Sequence, residues 1–168
     1  MVENPRIDDL RRRVQKDPAS IAFAQLAEEC RRAGDYQEAV DVCRAGLAVH
    51  PGYTSARVTL GRALLQLDQL DDAKAELQRV LAIAPDNLSA VRSLAQVYDR
   101  QGLLSEAHAH YRTALTLAPN DPELEHTVAR LSRAAAAASG DRDKAARTIA
   151  ALEQWLNAIH AARANRRA

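Results

Sequence analysis

The residues that could do chemistry in this chain are few and poorly grouped. There are five histidines and two cysteines. His108 and His110 stand two apart in a helical pattern, so they point to different faces. No HExxH pair occurs, and His50 directly precedes Pro51. None of this meets the ligand spacing of a zinc site, and the histidines read as solvent-exposed helix residues. Cys30 and Cys43 fall on two apolar faces that pair with each other, where free cysteine acts as a small hydrophobe. A redox pair is the alternative reading. "RRAGDY" has one glycine, at a helix end, and is no phosphate loop. No nucleophile, base and orienting group stand in a recognisable pattern. The expectation is a protein that is not an enzyme, with no metal and no cofactor.

The elements that hold these residues follow from composition and period. Hydrophobic residues make up 47% of 168 and charged residues 27%, which fits a folded chain rather than a disordered one. Ala, Leu, Arg, Gln and Glu dominate and β-branched residues are sparse, a mixture that favours helix. The formal net charge is +1, so no global field draws in nucleic acid, and nucleic acid is not an expected partner. The opening "MVENPRIDDLRRR" lacks the apolar run of a secretion signal, and no stretch reaches transmembrane length. Two cysteines make no disulfide framework. The expected location is cytoplasmic; a cleaved precursor would read the same way.

Three consecutive segments of 34 residues align without a gap: 20–53, 54–87 and 88–121. Leu26, Leu60 and Leu94 coincide, as do Ala39, Ala73 and Ala107, Leu47, Leu81 and Leu115, and Pro51, Pro85 and Pro119. Each segment reads as two helices. Phe23, Leu26, Ala27 and Cys30 form one apolar face, and Ala39, Cys43, Gly46 and Leu47 the facing one. Gly34 and Gly102 stand where a helix must stop, since glycine tolerates the left-handed backbone of a C-terminal cap. Ala27, Gly61 and Ala95 face Ala39, Ala73 and Ala107, which lets paired helix backbones approach closely; larger side chains there would overpack the contact.

This pattern resembles the tetratricopeptide repeat family, whose period and small-residue positions match across residues 20–121. Two positions depart from it: Arg57 replaces a bulky apolar residue, and Asp68 replaces the turn glycine. The resemblance implies an all-α, right-handed superhelical solenoid of antiparallel helix pairs, with first helices lining a concave groove. It also implies a non-catalytic adaptor or scaffold that holds a peptide or helix of another protein. The implied groove residues are Ala24, Gln25, Glu28, Arg31 and Arg32; Ser55, Val58, Thr59, Arg62, Leu65 and Gln66; Ser89, Arg92, Ser93, Gln96, Asp99 and Arg100; then Glu123, His126, Thr127, Arg130 and Arg133. Seven arginines stand there against three acids, and arginine binds carboxylate through its fork. An acidic ligand is therefore expected. Some members hold acidic chaperone tails with a Lys and Asn clamp; the corresponding places here carry Ala24, Glu28, Thr59, Ser89 and Ser93, so that clamp is absent.

The flanks complete the reading. Residues 1–19 hold one helix, capped by Asn4 with Pro5 at its first position, and Ile7, Leu10 and Val14 make its stripe. It covers the open face of the first repeat. Residues 122–138 form a seventh repeat-type helix, with Leu124, Val128, Leu131 and Ala135 as its stripe. Ser139-Gly140-Asp141 reads as a stop and a new N-cap. The last segment, 141–168, is an amphipathic helix with a basic tail. Ala145, Ile149, Leu152, Leu156 and Ile159 follow a 4-3-4-3 spacing, and Trp155, the single tryptophan, stands beside them among alanines. This helix caps the solenoid by folding back, or pairs with a partner helix or a second copy in a homodimer through its coiled-coil spacing. Its basic ends leave a weaker third reading, contact with an acidic membrane surface.

Overall fold

The structure is a computed structural model. It describes the backbone of residues 5–165 and the side chains of residues 5–157. Among the described residues there are eight helices and no strand: α1 (Pro5–Lys16), α2 (Ala22–Ala33), α3 (Tyr36–Val49), α4 (Thr54–Gln66), α5 (Leu70–Ile83), α6 (Leu88–Arg100), α7 (Leu104–Leu117) and α8 (Pro122–Asn165). The residues through Val128 form one compact unit, and those from Ala129 onward form a second. Asn4, the expected cap of α1, lies outside the described residues.

In the first unit α2 pairs with α3, α4 with α5 and α6 with α7, and each pair packs on the next. The reason is the small-residue seam. Ala27, Ala39, Ala73, Ala95 and Ala107 are all fully buried, and Gly61 lies against Leu77, whose Cγ would stand 2.7 Å from an added Cβ. Close approach of backbones is therefore built into the pairing. First helices also pack directly on one another, α2 on α4 and α4 on α6, while α3 and α5 are joined by the Arg44–Asp72 ion pair at 3.5 Å without such close backbone packing. The stack is thus tighter on the first-helix side, which makes that side its inner face.

Each first helix ends the same way. Gly34 (φ 90°) and Gly102 (φ 73°) take the left-handed conformation. Asp35 N–H then reaches back to Cys30 C=O at 2.9 Å and Leu103 N–H to Tyr98 C=O at 2.9 Å, closing orphan carbonyls. Asp68 does the same at φ 59°, with Gln69 N–H on Leu64 C=O at 3.0 Å. Aspartate tolerates this region better than most residues, so the missing glycine leaves the turn intact. Arg57 is accommodated by polar contacts. Its Nε and Nη2 donate to Pro51 C=O at 3.1 and 2.6 Å, and its Nη1 donates to Glu76 at 2.8 Å.

Helix α1 packs on α2. It buries Ile7 and Leu10, and Arg11 forks onto both oxygens of Glu38 in α3 at 2.7 and 2.6 Å.

One expectation about the carboxy-terminal segment is corrected. The stop at Ser139-Gly140-Asp141 does not occur, because α8 runs unbroken through it. One glycine costs a helix only about 1 kcal/mol relative to alanine, and Gly140 follows five consecutive alanines, 134–138. Within the second unit, Ile149, Leu152 and Leu156 are half or more exposed and Trp155 is 63% exposed. The side chain of Ile159 lies outside the described residues. No described helix is long and apolar enough to cross a membrane.

Candidate peptide groove

The inner face carries a cleft of about 480 Å³. Ala24, Gln25, Glu28 and Arg32 reach it from α2, Ser55, Val58, Thr59 and Arg62 from α4, and Ser89 from α6. Arg6, Glu29, Tyr53 and Asn87 also line it. Those four escape helical spacing alone, because Arg6 comes from α1, Tyr53 and Asn87 from joints between repeats, and Glu29 follows Glu28 inside α2, one position off the expected groove row. Asn87 carried one legible signal, as an N-cap: its Oδ1 accepts from Ala90 N–H at 3.0 Å.

Glu28 organises one wall. It accepts from Arg31 through both carboxylate oxygens at 2.9 and 2.8 Å, from Arg32 at 3.1 Å and from the Thr59 hydroxyl at 3.2 Å. The Arg31 hydrogen bonds hold its carboxyl at about 2 against the opposing effect of burial. Arg31 is raised by the same contact. Arg92 donates to Asp121 at 2.9 Å and also to Glu123. Arg100 donates to Leu65 C=O at 2.6 Å, closing the end of α4, and stands 3.8 Å from Asp68. Arg133 donates to Ala129 C=O at 3.3 Å within its own helix.

Arg62 differs from these. It is half-buried in the cleft wall and makes no hydrogen bond or ion pair among the described residues. Burial pulls its pKa down, and Arg31, Arg32 and Arg92 push the same way, with only Glu28 opposing. The seven arginines expected as a basic groove therefore do not act alike, and several are engaged by the fold itself.

Other expected groove residues sort by depth. Leu65 is corrected to the core: it is 1% exposed, because α4 is packed by α2, α3, α5 and α6 and buries more of its circumference than an end helix. Val58, Thr59 and Ser93 are nearly buried, with Val58 and Thr59 still bordering the cleft. Gln96 and Asp99 are half-buried, and Gln66 and His126 exposed. Arg130 is exposed and, with Arg133, belongs to the second unit.

The chemistry-bearing residues sit elsewhere. Cys30 and Cys43 are buried free thiols. Burial first, and nearby carboxylates second, push both up to about 12, and the Cys43 thiol donates to Ala56 C=O at 3.4 Å. His108 and His110 are half-buried rather than open to solvent. His110 stacks on Tyr98 at 5.2 Å, and burial lowers its pKa. Among the described residues no group of three or more His, Cys, Asp or Glu could hold a metal ion.

The fold and cleft define a helical-hairpin repeat protein with a polar inner face. A family profile described as tetratricopeptide repeat matches residues 31–98 and 73–131, and the chain belongs to that family. It is similar to an uncharacterized protein, y4yS, of Sinorhizobium fredii, 34% identical over 85 residues, covering 51% of this chain and 47% of that one. It is also similar to tetratricopeptide repeat protein 37 of Xenopus laevis, 32% identical over 79 residues, 47% of this chain and 5% of that one. The matching stretch thus spans less than half the length of these relatives. Among solved structures, MamA aligns with a TM-score of 0.72 at 19% identity, covering 77% of each chain. The first such domain of Spaghetti (RPAP3), bound to the HSP90 peptide SRMEEVD, aligns at 0.67 and 20% identity, covering 71% of this chain and 94% of that one. These structural likenesses show the fold.

Proposed function

We propose that this protein is a non-catalytic adaptor that holds an extended segment of another protein in the cleft between α2, α4 and α6. One observation carries this: the inner face is concave and polar, with the small exposed side chains of Ser55 and Ser89 leaving its floor open. Extended peptides need such a trough, and its convergent polar groups fix their direction. The likeness to a repeat domain that holds a peptide supports the reading. The chaperone tail itself is not carried over, since Ala24, Glu28, Thr59, Ser89 and Ser93 supply no cation at the clamp positions. An acidic segment fits best, because a cation without a partner, Arg62, faces the cleft.

The test is selection of a displayed random peptide library on the immobilised protein and on a variant with Ser55→Trp and Ser89→Trp, which fill the trough. Sequences enriched on the wild type and lost on the variant are expected. Equal enrichment on both, or none on either, overturns the proposal.

A second reading rests on the open row Ile149, Leu152, Trp155 and Leu156. Its 4-3-4-3 spacing is that of a coiled-coil seam, so its occupant is a second copy of the same helix. Sedimentation of the full chain against Leu152→Asp with Leu156→Asp tests it. A wild-type dimer that the variant dissociates supports this reading, and a monomeric wild type at high concentration rejects it.

A further inference from the structure

Most of the cleft's charge is already balanced. Glu28 is held by Arg31, Arg32 and Thr59. Glu29 lies 3.2 Å from Arg6 and 3.9 Å from Arg32. Arg92 is drawn toward Asp121 and Glu123 at the start of α8. Arg62, in the middle of the middle first helix, has no such partner and lines the same cleft. Its side chain is half-buried, so the fold has removed part of its hydration without giving it an acceptor. Its nitrogens still reach water, since none is among the buried polar atoms left without a partner, and a carboxylate on its fork replaces that water with a forked, charge-assisted contact.

We infer that Arg62 is a single-carboxylate anchor, so that the peptide held in this cleft presents one carboxylate there rather than an acidic run. This rests on the groove reading and narrows it. A run of acids would meet only one unengaged cation, together with the fixed carboxylates of Glu28 and Glu29 on the same wall. A phosphate dianion would meet the same imbalance. A lone carboxylate flanked by small or polar residues matches Ser55, Ser89 and Asn87, which line the same cleft. The anchor is also displaced from the five clamp positions named above, none of which holds a cation.

Small probes test the anchor without requiring a peptide. The protein with ¹⁵N-labelled arginine is titrated with N-acetylglutamate α-amide, which offers a side-chain carboxylate. Separate titrations use N-acetylglycine, which offers a terminal one, and N-acetylglutamine amide, which offers neither. The expected result is a saturable shift of the Arg62 Nε–H signal, larger than those of Arg31, Arg32 and Arg92, with one or both acids and not with the amide. The tighter of the two acids tells whether a side chain or a chain end is the natural source. Arg62→Gln, which removes no internal contact, should keep the fold and weaken acid binding at least tenfold, read from the backbone signals of Val58 and Thr59. Equal shifts across all the arginines, or backbone shifts unchanged in Arg62→Gln, overturn the inference. Failed peptide selection with a retained Arg62 shift would reject the peptide reading and leave the anchor standing; the reverse would reject the anchor alone.

Discussion

Gly46 offers a sharp test of the packing that shapes the inner face. A Cβ placed on it would stand 2.0 Å from Cδ2 and 2.2 Å from Cγ of Phe23. Ordinary carbon contacts lie at about 3.5–4.0 Å, so the ring would have to move by about 1.5 Å. It has little room. Phe23 is 1% exposed, stacked on His50 at 5.9 Å and met edge-on by Tyr53 at 5.6 Å. Overpacking of this kind costs about 1–3 kcal/mol, while alanine returns roughly 0.5–1 kcal/mol over glycine in a helix. The obstacle is a rigid ring with neighbours on two sides, so Gly46→Ala should destabilise by about 1–2 kcal/mol, lowering Tm by roughly 2–8 °C for a chain of this length. Gly140→Ala is the internal control. Nothing lies within 4 Å of its Cβ, so it should gain about 0.5–1 kcal/mol of helix propensity and no clash. Thermal unfolding followed by far-UV circular dichroism reads both, and Phe23→Leu added to Gly46→Ala should recover part of the loss. A Gly46→Ala protein as stable as wild type would refute the claim that this glycine seats Phe23.

Three further outcomes follow from named contacts. Arg57→Leu restores the family's apolar residue but leaves Glu76, whose side chain is 15% exposed, with only Arg79; it should lose about 1–3 kcal/mol in urea unfolding, mostly recovered by adding Glu76→Leu. Cys30 and Cys43, buried and raised to about 12, should not react with a thiol reagent at mildly alkaline pH until the chain unfolds; rapid native labelling would contradict their burial. Glu28 is held at about 2 instead of 4.5, so its contribution to stability is complete above pH 4.5 and is lost as the pH falls toward 2. Glu28→Gln should remove that part of the acid sensitivity, and identical acid unfolding curves for the two proteins would count against it.

The repeat was legible because its signals are local and periodic: Leu26, Leu60 and Leu94 in register, alanines facing alanines, and glycines at two of three turns. What escaped the sequence depends on tertiary neighbours. Leu65 has the spacing of a groove residue, but α4 is surrounded and buries it. Arg57 and Asp68 look like faults in the pattern until Pro51, Glu76 and the chain reversal after Leu65 are seen beside them. Gly140 looked like a stop, yet a lone glycine after five alanines is too weak a breaker. The row of arginines read as one basic face. Only coordinates show that Asp121 and Glu123, some thirty residues further along the chain, take up Arg92 while Arg62 is left unengaged.

The central claim is that the first-helix cleft is where a partner segment lies. The most direct measurement is backbone NMR of the labelled protein titrated with a peptide recovered by the library selection. The account predicts that the largest shifts fall on Gln25, Ser55, Val58, Arg62 and Ser89, in a line across α2, α4 and α6. Shifts concentrated on α3, α5 and α7, or along 149–156 of α8, would contradict it.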